Sequence, residues 1–571
     1  MDMFNYKIKG KVICDNRIYD TKELIEIVNN TKQFLLNNYS EDKIIAIAMP
    51  RCVYLLTSIL ALLDSRITYL LIDVDLQPKK RINYILNDAG VNTILSISTL
   101  EYEFDDRNVI YVDNIRKYEQ NDLLCCGNKL AYILYTSGTT GCPKGVEVSR
   151  VALNNFISGI VNVIKFNSND RIVSFTSPSF DIFFLEAILP IYFGLTVVLA
   201  SSEEVKNASK KIDLIRRFDI NMLQITPSGL RLLSMIDENL NFLNNIHTIM
   251  VGGEVFPIEL LDRLQLKNNL KIYNMYGPTE TTIWSTIADL SNCDYVHLGE
   301  PICCTEIFLL DNNLCDVENG EKGEICISGK GLSDGYHGNK ELTKRSFCKL
   351  PRFANKTVYR TGDIGVLDNN GNLLYVGRID NQIKLRGHRI ELEEIEAKIL
   401  LYNQITASVV CFNEKNEEII AFYSTEDKNV DEHIFAELKK YLPKYMIPNK
   451  FVRVENFIYT SNCKIDRKAV LDRYLKGISK NNIAKSNCDI PIMDSIRLVL
   501  SKCLHVPNIV VDYNMPLEQI GFDSITYVEF IVELETLLNI DFEENVLTMD
   551  NFENLKQLCE YISLLINHRG A

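Results

Sequence analysis

The stretch YTSGTTGCPKG, residues 135–145, places hydroxyl side chains, glycines and one lysine within eleven residues. It follows the apolar run Leu130–Leu134, which predicts a buried strand. Glycines let backbone N–H groups approach an anion closely, and Lys144 adds a positive charge on a flexible stem. The stretch therefore predicts a phosphate-binding loop rather than a surface turn rich in Ser and Gly. Because Pro-Lys-Gly closes it, the stretch differs from the loop pattern G-x-x-x-x-G-K-[ST]. The candidate phosphate-binding residues are Thr136, Ser137, Gly138, Thr139, Thr140, Gly141 and Lys144.

Length and composition limit the class of protein. The chain has 571 residues, a length typical of about three or four domains. An apolar fraction of 46% is ample for folded cores. The formal net charge of −14 gives no reason to expect a nucleic-acid partner.

The sequence also bears on location. Residues 1–11 are polar and charged, unlike a secretion signal. No uncharged apolar run reaches about 18 residues, so we expect neither a transmembrane helix nor a membrane partner. The 16 cysteines form no C-x-x-C pair, and the adjacent pairs Cys125-Cys126 and Cys303-Cys304 suit neither zinc nor ordinary disulfides. Reduced thiols and a cytoplasmic location are therefore expected.

The order of patterns along the chain predicts several domains. Strand-like runs such as Ile44–Met49, Leu195–Ala200 and His247–Val251 alternate with helical patterns, which is typical of an α/β fold. The pattern changes near Arg378, and a polar, linker-like segment follows later. The predicted units are an α/β core over 1–378, a small α+β subdomain over 379–474, a linker over 475–490 and an all-α domain over 491–571.

Two further strings contain the residue types that ATP chemistry requires. In NMYGPTE, residues 274–280, Tyr276 offers an aromatic face for adenine, Thr279 a donor for the α-phosphate and Glu280 a carboxylate for Mg²⁺. In YRTGD, residues 359–363, the carboxylate of Asp363 can accept two hydrogen bonds at once. Each string read alone could be an ordinary turn.

Together these strings resemble the motifs of the adenylate-forming superfamily, which includes acyl-CoA synthetases, luciferases and the adenylation domains of nonribosomal peptide synthetases. The resemblance runs from about residue 20 to residue 565 and implies ATP and Mg²⁺ as cofactors. It implies that Asp363 binds both ribose hydroxyls and that Arg378 lies near ribose and phosphate. It also implies that Asp380 is the hinge between large and small domains, although Asp380 could simply cap the next segment.

Two later segments carry the resemblance further. Residues 382–392 are similar to the loop that lines the entry path of the acceptor thiol, although Glu393 stands where the family usually has Gly. Lys464 and Arg467 match the family pattern Gly-Lys-x-x-Arg, with Cys463 in place of the Gly. The resemblance implies that Lys464 is the catalytic lysine, which bridges the substrate carboxylate and the α-phosphate.

The string GFDSI, residues 521–525, precedes apolar positions at helical spacing. Asp-Ser at a helix start is often only an N-cap. After a linker, and behind an adenylation core, this string instead resembles the attachment site of a peptidyl carrier domain, an all-α four-helix unit. Ser524 is then the attachment point of 4′-phosphopantetheine. A fused carrier favours the peptide synthetase branch over a ligase that uses free CoA.

The resemblance also identifies an amino-acid pocket. Asp181 stands where amino-acid-activating members keep an Asp, and a buried carboxylate requires a cation such as an α-ammonium group. No other charged group faces the substrate side chain, and bulky residues such as Trp284 fill the space. The pocket is similar to that of glycine-activating domains, with alanine or another small amino acid as the alternative. The substrate-binding residues are Asp181, Ile182, Leu185, Gln224, Met250, Gly252, Met275, Ile283 and Trp284, which could also be ordinary core residues.

The sequence thus predicts an enzyme that activates glycine as glycyl-AMP and transfers it to the pantetheine thiol on Ser524. It is expected to load glycine for a condensation enzyme, or another enzyme that uses carriers, acting in trans. A phosphopantetheinyl transferase is an expected partner, and a small activating protein is an optional one. The alternative that is not an enzyme is a carrier scaffold with a silent adenylation domain.

Overall fold

A computed structural model gives the architecture of the chain. The residues that it describes are 7–39, 43–116, 127–139, 141–318, 320–350, 355–402, 404–425, 434, 436–454, 457–458, 465–481, 496, 499–500, 517, 522, 524–538, 542, 552 and 554–569.

Strands are numbered in chain order. They are β1 Lys11–Cys14, β2 Arg17–Tyr19, β3 Ile44–Ala48, β4 Thr68–Ile72, β5 Thr93–Ser96, β6 Asn108–Tyr111, β7 Leu130–Thr136, β8 Lys144–Ser149, β9 Arg171–Ser174, β10 Thr196–Leu199, β11 Met222–Ile225, β12 Thr248–Gly252, β13 Lys271–Tyr276, β14 Thr286–Asp289, β15 Glu300–Pro301, β16 Thr305–Leu310, β17 Gly323–Gly329, β18 Gly335–Tyr336, β19 Phe347–Leu350, β20 Lys356–Leu367, β21 Leu373–Arg378, β22 Ile383–Leu385, β23 His388–Ile390, β24 Ile405–Asn413, β25 Glu418–Thr425 and β26 Lys450–Arg453.

Helices are numbered in the same way. They are α1 Thr21–Asn38, α2 Val53–Asp64, α3 Lys79–Asp88, α4 Arg150–Val163, α5 Leu189–Phe193, α6 Ser202–Lys206, α7 Ala208–Arg217, α8 Pro227–Ile236, α9 Ile258–Gln265, α10 Lys340–Ser346, α11 Leu392–Ile399, α12 Arg467–Asn481, α13 Ser524–Leu538 and α14 Leu555–Arg569.

Two compact units divide the chain. The first contains Met1–Glu394 and Glu437–Tyr445, and the second contains Ile395–Ala436 and Met446–Ala571. The predicted boundaries at 378, 474 and 490 stay predictions.

Two large sheets form the first unit. One has nine strands in the order β15-β14-β13-β12-β11-β9-β10-β1-β2, and the other has seven in the order β18-β8-β7-β4-β3-β5-β6. Their central pairs are parallel. Parallel strands are usually covered on both faces, which explains why runs such as β3 are almost wholly apolar and buried. The predicted α/β fold of the core is confirmed, with the three strand-like runs at β3, β10 and β12.

A smaller antiparallel sheet, which the sequence analysis did not foresee, completes the first unit. Its strands β16, β17, β20 and β19 pair in that order, and β21 pairs with β20. The long strand β20 carries the YRTGD string, so this sheet positions Asp363.

The second unit contains a three-stranded sheet of β24, β25 and β26 with α12 beside β24. Over residues 491–571 the described elements are helices. Buried side chains from α13 and α14, including Phe530, Leu534 and Leu558, share one core with Phe522. The predicted small α+β subdomain and helical carrier domain are both confirmed.

Within the described ranges, helices of sufficient length are too polar to cross a membrane and the apolar ones are too short.

Candidate active site

The predicted phosphate-binding loop joins β7 to β8, which pair antiparallel with Thr136 opposite Lys144. Glycine is required at Gly138, where an added Cβ would lie 2.1 Å from the carbonyl oxygen of Cys142. Gly141 has a φ of +80°, in the left-handed region that favours glycine. The sequence therefore builds a tight loop that depends on these two glycines. Thr140 lies outside the described residues.

An internal carboxylate accepts a hydrogen bond from this loop. The backbone N–H of Gly138 donates to Glu394 Oε2 at 3.1 Å, and Arg81 donates to Glu394 Oε1 at 2.5 Å. Ser137 Oγ donates to the carbonyl of Arg389 at 2.8 Å. Glu394 is fully buried, so Arg81 and the loop together neutralise it.

Glu280 lies in a short 3₁₀ turn, Thr279–Thr281, and is fully buried. Tyr336 donates its hydroxyl to Glu280 Oε1 at 2.7 Å, and Arg389 donates to Oε2 at 2.7 Å. Lys144 Nζ is 3.6 Å from Oε1. Burial by itself would raise the pKa of Glu280, but the charges of Arg389 and Lys144 lower that pKa to about 2. The carboxylate therefore stays ionised and is suited to hold Mg²⁺.

The candidate ribose site depends on the pairing of β20 with β21, which places Asp363 opposite Arg378. Arg378 donates to Asp363 Oδ1 at 2.5 Å, and the Tyr276 hydroxyl donates to Oδ2 at 2.7 Å. Arg378 also contacts both oxygens of Asp380, at 2.7 and 2.8 Å. Three separate motifs thus meet in one hydrogen-bonded group, and Asp380 joins it whether or not it acts as a hinge.

One cleft in the first unit connects these groups to the amino-acid position. It encloses about 860 Å³ of empty space, part of which is open solvent. The predicted residues that line it are Thr136, Ser137, Thr279, Asp363, Arg378, Asp181, Ile182, Ile283 and Trp284.

Asp181 is one of the acidic residues that line this cleft. Burial raises its pKa to about 6, against the hydrogen bond from Thr279. Among the described residues, nothing donates to its buried Oδ2 atom. An ionised carboxylate with one free oxygen can accept a cationic ligand such as an α-ammonium group.

The other predicted pocket residues are buried behind the wall that Trp284 and Ile283 form. Parallel pairing sets Gln224 beside Met250 and Gly252 beside Met275. A Cβ on Gly252 would lie 2.8 Å from Cη2 of Trp284, so the glycine makes room for the indole ring. Leu185, Gln224, Met250 and Met275 are at most 2% exposed. Gly252 lies directly against Trp284, and the predicted pocket residues that line the cleft are Asp181, Ile182, Ile283 and Trp284.

Two predicted residues cannot be placed within the site. Lys464 lies outside the described residues. Ser524 is the first residue of α13.

Three contributors were missed by the sequence analysis. Tyr336 and Glu394 belong to no recognised string, and Arg389 was read only as part of the thiol-path segment 382–392. Lys384, from the same segment, lies 5.4 Å from the ring centre of Tyr276, and burial lowers its pKa. The dense run of charges over residues 384–394 was the available signal.

Comparison with known proteins agrees with this geometry. The profile of the AMP-binding enzyme family matches residues 7–337. The chain belongs to the AMP-binding enzyme family. A phosphopantetheine attachment site profile matches residues 494–562. This AMP-binding enzyme therefore joins an adenylate-forming domain to a carrier domain.

Curated relatives are much longer proteins. A dimodular nonribosomal peptide synthase of Bacillus subtilis is 38% identical over 368 residues, which are 62% of this chain and 15% of the relative. Gramicidin S synthase 1 of Brevibacillus brevis is 33% identical over 345 residues, 59% of this chain and 31% of the relative.

Two solved structures are similar over nearly the whole chain. A nonribosomal peptide synthetase protein with adenylation and PCP domains, bound to a vinylsulfonamide inhibitor, matches with a TM-score of 0.78 and 23% identity, covering 93% of this chain and 90% of that one. A four-domain nonribosomal peptide synthetase bound to AMP and glycine matches with a TM-score of 0.60 and 26% identity, covering 98% and 42%.

Proposed function

We propose that this enzyme activates glycine with ATP as glycyl-AMP and transfers the glycyl group to 4′-phosphopantetheine on Ser524, for nonribosomal peptide synthesis. The observation that carries the proposal is the free oxygen of Asp181, a residue that lines the cleft. A carboxylate there selects substrates with an ammonium group, and therefore favours amino acids over fatty or aryl acids.

Different residues of the first unit would bind different parts of the substrates in the first half-reaction, the formation of glycyl-AMP. Asp363, Arg378 and Tyr276 would hold the nucleoside, and the β7–β8 loop would hold the phosphates. Glu280 would hold Mg²⁺, which neutralises phosphate charge. Lys464 would stabilise the attacking substrate oxygen and the α-phosphate, as the resemblance implies.

The size of the pocket supports glycine. The indole of Trp284 is 2% exposed and closes the wall together with Ile182 and Ile283. On this proposal, the wall excludes substrate side chains larger than hydrogen. The second structural relative, which was solved bound to AMP and glycine, has a similar fold.

ATP–pyrophosphate exchange with each of the twenty amino acids tests the substrate. Glycine should give the fastest exchange, with alanine about 10- to 200-fold slower, the usual discrimination for one carbon. Faster exchange with leucine or phenylalanine would contradict the pocket assignment and leave the adenylation chemistry intact. No exchange with any amino acid would favour a silent scaffold.

The Ser524→Ala variant tests the acceptor. It should keep glycine-dependent exchange but bind no radioactive glycine, because the hydroxyl that carries pantetheine is gone. A phosphopantetheinyl transferase should add mass to the wild type and to the Ser501→Ala control only. Stable glycine loading on Ser524→Ala, or release of glycyl-CoA from free CoA, would refute the carrier assignment.

The proposed function requires a phosphopantetheinyl transferase, which modifies Ser524. It also implies a condensation enzyme or another carrier-using enzyme that accepts the glycyl group. A small activating protein is an optional partner. It is proposed to act in the cytoplasm.

A further inference from the structure

Cys303 and Cys304 form an exposed pair of thiols away from the cleft. Their sulfur atoms are 3.6 Å apart and within hydrogen-bond reach of each other. Both side chains are exposed. Small reagents in solution can therefore reach both thiols.

The backbone at this pair is unusual. Thr305 N–H donates to the carbonyl of Ile302 at 3.1 Å, closing a four-residue turn with the two cysteines at its centre. Cys304 has a φ of +54°, a conformation that is uncommon for residues other than glycine. The turn therefore holds the two sulfurs on the same side at the cost of an unfavourable backbone conformation.

The turn is connected to the candidate metal site. The carbonyl of Cys304 accepts from Lys330 N–H at 3.0 Å, and a Cβ on Gly329 would lie 2.1 Å from the same oxygen. Gly331 accepts from Thr282 Oγ1 at 2.8 Å. Ser333 N–H donates to the backbone carbonyl of Glu280 at 2.9 Å. Segment 329–333 thus contacts the thiol turn at one end and the Glu280 turn at the other.

We propose that Cys303 and Cys304 are a reversible redox site, a dithiol that closes to a disulfide and thereby shifts segment 329–333. The oxidant is a small disulfide such as oxidised glutathione. One cysteine thiolate attacks a sulfur of the reagent and releases one glutathione thiolate. The other cysteine then attacks the mixed disulfide and releases the second. The two protons of the cysteines pass to the released thiolates, and the two electrons reduce the reagent.

Physical reasons favour this chemistry over metal binding. In the described part of the chain, no group of three or more His, Cys, Asp or Glu residues could hold a metal ion. Adjacent residues have Cα atoms about 3.8 Å apart, closer than the range of about 4.4–6.8 Å in common disulfides. A disulfide here is therefore easily reduced, as regulatory disulfides are. Closing it requires the backbone at Cys304 to turn, which moves the carbonyl bonded to Lys330.

Peptide mapping of the full chain tests the disulfide without reference to activity. A chymotryptic peptide covering residues 299–308 contains these two cysteines and no other. After treatment with oxidised glutathione, the wild-type peptide should be lighter by two hydrogen atoms and resist alkylation, and dithiothreitol should reverse both changes. The Cys315→Ser variant should behave like the wild type. Two separate glutathione adducts on the peptide, or full alkylation under conditions that modify Cys315, would overturn the redox site.

Hydrogen–deuterium exchange tests the link to Glu280. Oxidation should speed exchange at Lys330 N–H about fivefold, the factor expected for the loss of one net hydrogen bond. Exchange over residues 279–285 should change as well, and neither change should occur in Cys303→Ser. Formation of the disulfide with unchanged exchange in both segments would overturn the link. The result does not depend on which amino acid is activated.

Discussion

Asp181 has a free carboxylate oxygen and a pKa raised by burial to about 6. Such a group is expensive to ionise without a partner, so the cleft favours ligands that carry an ammonium group. The same residue cannot distinguish one amino acid from another, because all share that group. Discrimination is left to the apolar wall, in which Trp284 is the largest side chain.

The first prediction concerns pH. Because the pKa of Asp181 is raised, the carboxylate takes up a proton as the pH falls through about 6 and its attraction for a cation is lost. Affinity for a glycyl-sulfamoyl-adenosine inhibitor should therefore fall up to about tenfold per pH unit below pH 6. Calorimetric titration at pH values from 7.5 to 5 measures the affinity for the inhibitor. The acetyl analogue, which lacks the ammonium group, should bind equally across this range, and a parallel loss for both inhibitors would contradict the role of Asp181.

The second prediction concerns Trp284. The Trp284→Ala variant should raise ATP–pyrophosphate exchange with alanine or serine about 10- to 200-fold relative to glycine, because the substrate side chain no longer meets the indole. Trp284→Phe keeps most of the bulk and serves as the control. Met275→Ala, behind the wall, should show a smaller effect in the same direction. Unchanged preference in both alanine variants would mean that the wall does not set specificity.

The Asp181→Ala variant tests whether this carboxylate binds the α-ammonium group of the substrate. It should abolish exchange with every amino acid, because each loses the same partner. Retained glycine activity in this variant would require another ammonium-binding group.

At the level of elements, the wall is supported by close contact between neighbouring strands. Gly252 of β12 lies beside Met275 of β13, and an added Cβ would be 2.6 Å from the carbonyl oxygen of Met275. Backbone atoms cannot move aside cheaply. The glycine is therefore a packing requirement of β12 and β13.

The third prediction follows from that contact. Gly252→Ala should lower the free energy of unfolding by about 1–3 kcal/mol, the usual cost of overpacking a core. Urea denaturation of both variants measures the change in the free energy of unfolding. Gly127→Ala, at a position where an added Cβ meets nothing within 4 Å, should be nearly neutral and provides the control. Equal stability of the two variants would show that the strands separate easily.

The sequence predicted the parts of the candidate site that lie within short continuous motifs. The β7–β8 loop and Glu280 each fall within a short run whose residue types match their chemistry. The contact of Tyr336 with Glu280 joins residues 56 positions apart through the pairing of β18 with β8, and no local pattern contains that pairing. Glu394 was missed for the same reason, because its partner Arg81 is 313 residues away. The sequence also could not show which predicted pocket residues line the cleft and which are buried away from it, because that depends on the three-dimensional packing.

At the scale of the whole molecule, the proposed function has two half-reactions with different chemical needs. The first forms a bond between carboxylate and α-phosphate, where charge must be stabilised. The second breaks that bond with a thiol carried by the chain itself. A residue that serves only one of them can be identified by measuring them separately.

The fourth prediction uses this separation. Lys464→Ala should slow adenylate formation about 10²- to 10³-fold, the usual effect of removing one oxyanion contact. Transfer from preformed glycyl-adenylate to the carrier should suffer much less. Single-turnover assays of each step measure the two rates, and Lys468→Ala, at an exposed neighbouring lysine, is the control. Equal losses in both steps would contradict the assigned role.

The bond between Gly138 and Glu394 has a consequence for the timing of such a cycle. A carboxylate tethered beside the loop is an internal ligand at high effective concentration, and it never diffuses away. Any external anion that uses the Gly138 N–H, whether from ATP or from pyrophosphate, must first displace the Glu394 carboxylate. On the proposed function, each turnover therefore begins and ends with an exchange between this internal ligand and a phosphate group.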